Sequence, residues 1–115
     1  MARELSVVVM QDMPGNAFEL SPPEVLDSPG NGEWILIPYS RNGQREAAVT
    51  LSGTATWSGR VEGTNSPVSD VRDDNAVPVA WPDGTVNTTT NRILFTFTAI
   101  RQVNITGTTR LEVNA

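Results

Sequence analysis

The sequence predicts an all-β protein: an antiparallel β-sandwich, jelly-roll or immunoglobulin-like, with an extended N-terminal loop or arm. Three observations carry this. The 115 residues include 13 valines and 13 threonines, whose branched Cβ is stiff at χ1 and packs well on a pleated surface. Turn signals recur at short intervals: Pro14-Gly15-Asn16, Ser28-Pro29-Gly30-Asn31-Gly32, Asn42-Gly43, Ser52-Gly53, Ser58-Gly59, Pro82-Asp83-Gly84 and Thr106-Gly107. That rhythm suits the short strands of a sandwich or barrel. No window of about 11 residues or longer carries an apolar stripe of helical period. At this length the chain reads as a single domain, 1–115.

The N-terminus, MARELSVVVMQDM, holds only the short apolar run Val7 to Met10, without the length or cleavage signal of a secretory leader. No stretch approaches the roughly 20 apolar residues that span a bilayer. The expectation is a soluble chain made in the cytoplasm. Residues 11–32 hold four of the eight prolines and little alternation. They read as an irregular arm or long loop, a feature that is often functional or partner-bound. The arm carries the apolar residues Phe18, Leu20, Val25 and Leu26. These are candidate partner-binding residues that dock on a neighbouring subunit. The alternative is that the arm folds back over its own sheet and covers an open edge.

Glu33 to Tyr39 and Arg45 to Thr56 flank Asn42-Gly43, a dipeptide suited to a two-residue type I′ hairpin. The implied register sets Tyr39 opposite Glu46, Ile37 opposite Ala48 and Trp34 opposite Leu51. It assigns Trp34, Leu36, Pro38, Ala47, Val49 and Leu51 to the core. Pro38 has no N–H for a ladder and implies an edge or a bulge. Val77 to Trp81 and Thr85 to Thr88 form a second expected hairpin around the type I turn sequence Pro82-Asp83-Gly84. Arg92 to Ile100 alternates, with Ile93, Phe95, Phe97 and Ala99 on one face and Leu94, Thr96, Thr98 and Ile100 on the other. A strand over Arg101 to Ile105 comes next, then an expected turn at Thr106-Gly107-Thr108. The last strand, Thr109 to Val113, turns Leu111 and Val113 inward.

The charge excludes more than it specifies. Eight arginines face 13 acidic residues, for a net charge of −5, and there is no Lys, His or Cys. That inventory lacks a thiol nucleophile, a disulfide framework, a Ser–His–Asp triad, the usual zinc ligands and a Schiff-base or P-loop lysine. The acidic balance argues against nucleic acid as a partner. The reading is therefore of a protein that is not an enzyme and has no cofactor. Residues 1–33 hold six acids against Arg3, and residues 34–115 hold seven of each sign. The whole excess lies in the N-terminal third, where it suits a basic partner.

Four further groups could carry chemistry. Asp70, Asp73, Asp74 and Asn75 are oxygen-rich, but their spacing departs from a calcium loop. They read as a solvated loop, and no metal is expected. Trp34 reads as core, while Trp57 and Trp81 stand next to turn signals and are candidate ligand-stacking residues for a sugar ring. Core plugs are the alternative for both. The sequons at Asn87 and Asn104 read as coincidental in a chain rich in Asn and Thr. A paired-carboxylate glycosidase would need a cleft that nothing in the sequence marks.

Residues 49–115 carry the segments Leu51-Ser52-Gly53-Thr54, Trp57-Ser58-Gly59-Arg60-Val61-Glu62-Gly63-Thr64 and Trp81-Pro82-Asp83-Gly84-Thr85. They end in Thr98-Ala99-Ile100-Arg101-Gln102-Val103-Asn104-Ile105-Thr106-Gly107-Thr108 and the strand Thr109-Arg110-Leu111-Glu112-Val113. This pattern resembles small β-sandwich virion accessory proteins of tailed bacteriophages. The resemblance implies a structural virion protein without catalytic residues. The expectation is a capsid decoration or cement protein, a homo-oligomer whose partners are the major capsid protein or other virion proteins, with no membrane partner. Its location would be the virion. The alternative is a tail- or fibre-associated module that binds a carbohydrate or receptor.

Overall fold

Two long runs of Val, Thr and small residues form the spine of the protein. The computed structural model describes residues 3–4, 23–39 and 43–114. In chain order the strands are β1 (Arg3–Glu4), β2 (Glu24–Leu26), β3 (Gly30–Asn31), β4 (Ile35–Leu36), β5 (Glu46–Thr64), β6 (Val79–Ala80), β7 (Thr90–Phe95) and β8 (Ala99–Asn114). One short helix, α1 (Val68–Arg72), comes after β5. The fold is all-β, and among the described residues every strand pair is antiparallel except β1 with β4.

β5 and β8 run side by side from Ala48 opposite Asn114 to Thr64 opposite Ala99. The ribbon they form is bent where the register shifts, between Thr54, Ser58 and Gly59. Both strands adopt left-handed backbone there, at Ala55 (φ 57°) and Gly107 (φ 72°). Gly107 lies so close to the neighbouring strand that a Cβ would overlap the Thr56 carbonyl oxygen. Such a bulge kinks a ladder and re-aims the strand beyond it. The two halves of the ribbon consequently face each other. Gln102 Nε2 donates to Thr109 Oγ1 across the bend at 2.6 Å. A Cβ on Gly59 would stand 3.2 Å from Thr109 and 3.7 Å from Leu51.

The main core fills the space between the halves. It takes Ala47, Val49, Leu51, Leu94, Leu111 and Val113 from one side, and Ile35, Ile37, Val61, Trp81 and Ile100 from the other. A smaller cluster of Trp34, Leu36, Val71 and Ala99 lies on the opposite face of the second half, under α1. The alternation over 47–51 and 111–113 thus agrees with expectation, but its partners differ. Ile35 and Ile37, not Trp34 and Leu36, complete the main core, and Pro38 is exposed.

The expected hairpin between 33–39 and 45–56 does not form. Both sides of the first half of β5 are occupied, by β7 and by β8, so β4 pairs with β8 instead. A Tyr39–Arg45 bridge, and an Arg45 guanidinium bond to the Ile37 carbonyl, are what hold these segments together locally. Thr106-Gly107-Thr108 is no turn either, because β8 passes through it. Ser52-Gly53 and Ser58-Gly59 lie inside β5. Pro82-Asp83-Gly84 does turn the chain, with Gly84 N–H donating to the Trp81 carbonyl at 3.2 Å. Its flanks pair with β5 rather than with each other, Ala80 opposite Glu62 and Val86 opposite Gly59. The expected strand 92–100 divides at Thr96 (φ 70°), where β7 ends before β8 begins.

Candidate functional site

The described part of the arm is a cladding on β8. β2 lies along residues 109–111 and β3 along 103–104, both antiparallel. Gly32 N–H continues the ladder with a 2.7 Å bond to the Gln102 carbonyl. The latch is Asn104, which is 2% exposed. Its Nδ2 donates to the carbonyls of Leu26 (3.2 Å), Ser28 (2.9 Å) and Gly107 (2.7 Å). One side chain thus ties the arm to the bend of the ribbon. Its amide nitrogen is enclosed and in use. Of the four arm residues, Phe18 and Leu20 lie outside the described residues. Val25 is 56% exposed and Leu26 is half-buried on β2. At Glu24–Leu26 and Gly30–Asn31, then, the irregular arm is strand docked on its own sheet.

Trp57 and Trp81 stand in the main core, 6% and 2% exposed. The Trp81 indole N–H donates to the Gly84 carbonyl at 2.5 Å, and the Trp57 ring lies over Gly53. Neither offers a free ring face to a sugar. Asp70 lies on α1, and Asp73, Asp74 and Asn75 end it. Asn75 N–H donates to the Asp70 carbonyl, and Asp74 takes a left-handed φ of 59°. Among the described residues no three acidic side chains converge on a common point for a metal.

A carboxylate held between two arginines is the ion-pair cluster that sequence reasoning missed. Glu62 and Arg101 are cross-strand neighbours on β5 and β8. Glu62 Oε1 accepts from Arg101 at 2.8 Å, and Oε2 accepts from Arg60 at 2.9 Å. Burial pushes the Glu62 carboxyl up, but hydrogen bonds and charge from Arg101 and Arg60 outweigh it and hold the carboxyl below its ordinary range. The Arg101 guanidinium also stacks 4.6 Å over the Trp34 ring. A cleft of about 300 Å³ beside it is lined by Glu33, Trp34, Asp74 and Arg101. A shallower cleft of about 400 Å³ lies at Tyr39, Arg45, Pro67 and Thr98, where Arg45 stacks 4.1 Å over Tyr39. In both clefts the cation is engaged by an aromatic ring, and Arg101 also by Glu62. Each reads as a structural strut.

Large apolar side chains are nevertheless exposed, and they run along the margins of the sheet. Val25 is on β2, Val79 on β6 with Val77 just ahead of it, and Ile93 and Phe95 on β7. Tyr39 lies beside the bridge to Arg45. These six range from 47% to 68% exposed. The alternation of 92–100 does place Ile93 and Phe95 together on one face. Which face is buried depends on β5, and no local signal reports that.

No protein family, curated protein or solved structure matches the chain.

Proposed function

We propose that the protein is a non-enzymatic structural component of a tailed-phage virion. Specifically, it is a capsid decoration or cement protein that acts as a homo-oligomer and binds the major capsid protein or neighbouring virion proteins. The observation that carries this reading is the set of exposed apolar side chains on the outer strands of the sheet. Exposed apolar side chains that lie together on a surface, as Ile93 and Phe95 do on one face of β7, mark sites of protein association. The resemblance of residues 49–115 supplies the virion context, and the acidic excess of residues 1–33 suits a basic partner surface. The finer fold reading, a jelly-roll or immunoglobulin-like sandwich, draws support from the two ribbon halves that face each other across one core. The burial of Trp57 and Trp81 leaves the carbohydrate-binding alternative without a supporting observation.

The test is quantitative mass spectrometry of purified particles, paired with co-sedimentation of the full-length protein on particles that lack it. A copy number that scales with the capsid lattice supports decoration. A copy number limited to one ring or a few fibres moves the protein to the neck, tail or fibres. Absence from particles, with no co-sedimentation, overturns the reading.

A further inference from the structure

The hydrogen-bonding parity of β7 determines what its outer edge can receive. Thr96 N–H donates to the Arg45 carbonyl at 2.8 Å. In an antiparallel ladder, hydrogen-bonded and non-hydrogen-bonded pairs alternate. The register of β7 on β5 therefore makes Leu94–Ala47, Arg92–Val49 and Thr90–Leu51 the bonded pairs. The residues between them, Asn91, Ile93 and Phe95, turn their N–H and C=O away from β5. No described strand pairs with that edge.

All three of these residues carry exposed side chains, with Ile93 51% and Phe95 52% exposed and Asn91 also open, while Arg92 is exposed on the other face. Edge strands are ordinarily blunted by lysine, proline or an inward charge. β7 has none of these. Its one charge, Arg92, sits at alternate parity and is held by Asp83 at 2.5 Å.

We infer that β7 is the self-association edge of this protein and pairs antiparallel with β7 of a second copy about a two-fold axis at Ile93. This inference rests on the homo-oligomeric part of the proposed function. Only outward-pointing residues can bond across the new edge, so the permitted registers are few. The one that uses all of them sets Ile93 opposite its symmetry mate and Asn91 opposite the second copy's Phe95. Each pair exchanges two backbone hydrogen bonds. The side chains of all three then share one face, and the row through the axis is apolar: Ala48 and Ile93 of one copy, then Ile93 and Ala48 of the other. The face of β7 that carries Asn91, Ile93 and Phe95 holds no charge, and on the other face the two Arg92 side chains become diagonal neighbours across the new edge, each paired with its own Asp83. An isologous contact of this kind closes at two copies.

The absence of native cysteine makes the test direct. A bonded antiparallel pair separates Cα atoms by about 5.5 Å, within the range a disulfide bridges. The full-length Ile93→Cys variant should therefore cross-link to a covalent dimer under mild oxidation. Asn91→Cys should not, because its symmetry mate lies more than about 13 Å away along the strand. The parent should sediment as a dimer. Ile93→Asp, and the milder Ile93→Thr, should sediment as folded monomers with unchanged circular dichroism. A monomeric parent, equal cross-linking of the two cysteine variants, or a dimer that survives Ile93→Asp overturns the inference. So does particle-bound Ile93→Cys that cross-links to a different virion protein. Binding of particles by a monomer removes this edge and leaves the virion reading intact. A β7-linked dimer that ignores particles does the reverse.

Discussion

Replacing Asn104 with alanine should release the arm from β8. The Asn104 amide has two protons and faces three carbonyls, those of Leu26, Ser28 and Gly107. Two hydrogen bonds' worth of interaction is therefore at stake. At about 0.5–1.5 kcal/mol each, the loss is about 1–3 kcal/mol. Ser28 and Gly107 are exposed residues and Leu26 is half-buried, so water can reach this site once the amide is gone, which keeps the figure from rising further. For a domain with a urea slope near 2 kcal/mol per molar, a loss of about 2 kcal/mol moves the midpoint by about 1 M. Asn104→Asp should be worse at neutral pH, because it sets a carboxylate against the same carbonyls. Its deficit should shrink as the pH falls and the carboxyl takes up a proton. Hydrogen exchange at Gly32, whose N–H bonds the Gln102 carbonyl, gives a local readout and should accelerate in both variants. An Asn104→Ala protein within about 0.5 kcal/mol of the parent, with unchanged exchange at Gly32, would refute the latch.

The other expectations concern the bend, the Glu62 cluster and the arm. Gly107→Ala should cost well over the roughly 1 kcal/mol of placing a side chain at positive φ, since its Cβ meets the Thr56 carbonyl. Gly84→Ala (φ 62°), with open space around it, should cost only that amount, and thermal melts of the two compare them directly. Because the Glu62 carboxyl is held below its ordinary value of 4.5, its contribution is present above that pH and is lost as the pH falls through the folded-state value. Melts from neutral into acid should therefore decline below about pH 4.5 in the parent and decline less steeply in Glu62→Gln. Deleting residues 1–32 should abolish a cooperative unfolding transition, because it strips β2 and β3 from β8 and β1 from β4.

What the sequence reveals here is the face of a strand more than its neighbour. Ala47, Val49 and Leu51, and likewise Leu111 and Val113, alternate clearly enough to be assigned inward, and they are buried. The Asn42-Gly43 signal implies pairing with the nearest strand in sequence. The actual partner of Ile35 and Leu36 is Ile100 and Ala99, a choice made by competition for β5 that no local pattern encodes. Glycine misleads for a related reason. Gly53 accommodates the Trp57 ring, Gly59 the Val103 carbonyl and Gly63 the Phe97 ring, all inside one strand. A glycine chosen for close approach and one chosen for a turn look alike until the facing atoms are known. The Asn104 latch is hidden because its acceptors on the arm lie 76 and 78 residues away.

The bend at Gly107 also decides where a partner can join. It brings the two halves of one ribbon face to face, so the ribbon has only two long outer edges. The β8 edge is clad by β2 at 109–111, by β3 at 103–104 and by β4 at 99–100. The β5 edge is clad by β7 at 46–51 and by β6 and Val86 at 59–63. The outermost described strands are therefore short, at two or three residues, except β7 at six. Strand addition gains with each bonded pair, so the longest margin dominates. In β7 that margin coincides with the exposed Ile93 and Phe95. Asn104 holds the cladding on one side of the ribbon, and the other side is left to end in a six-residue strand on which Ile93 and Phe95 are exposed.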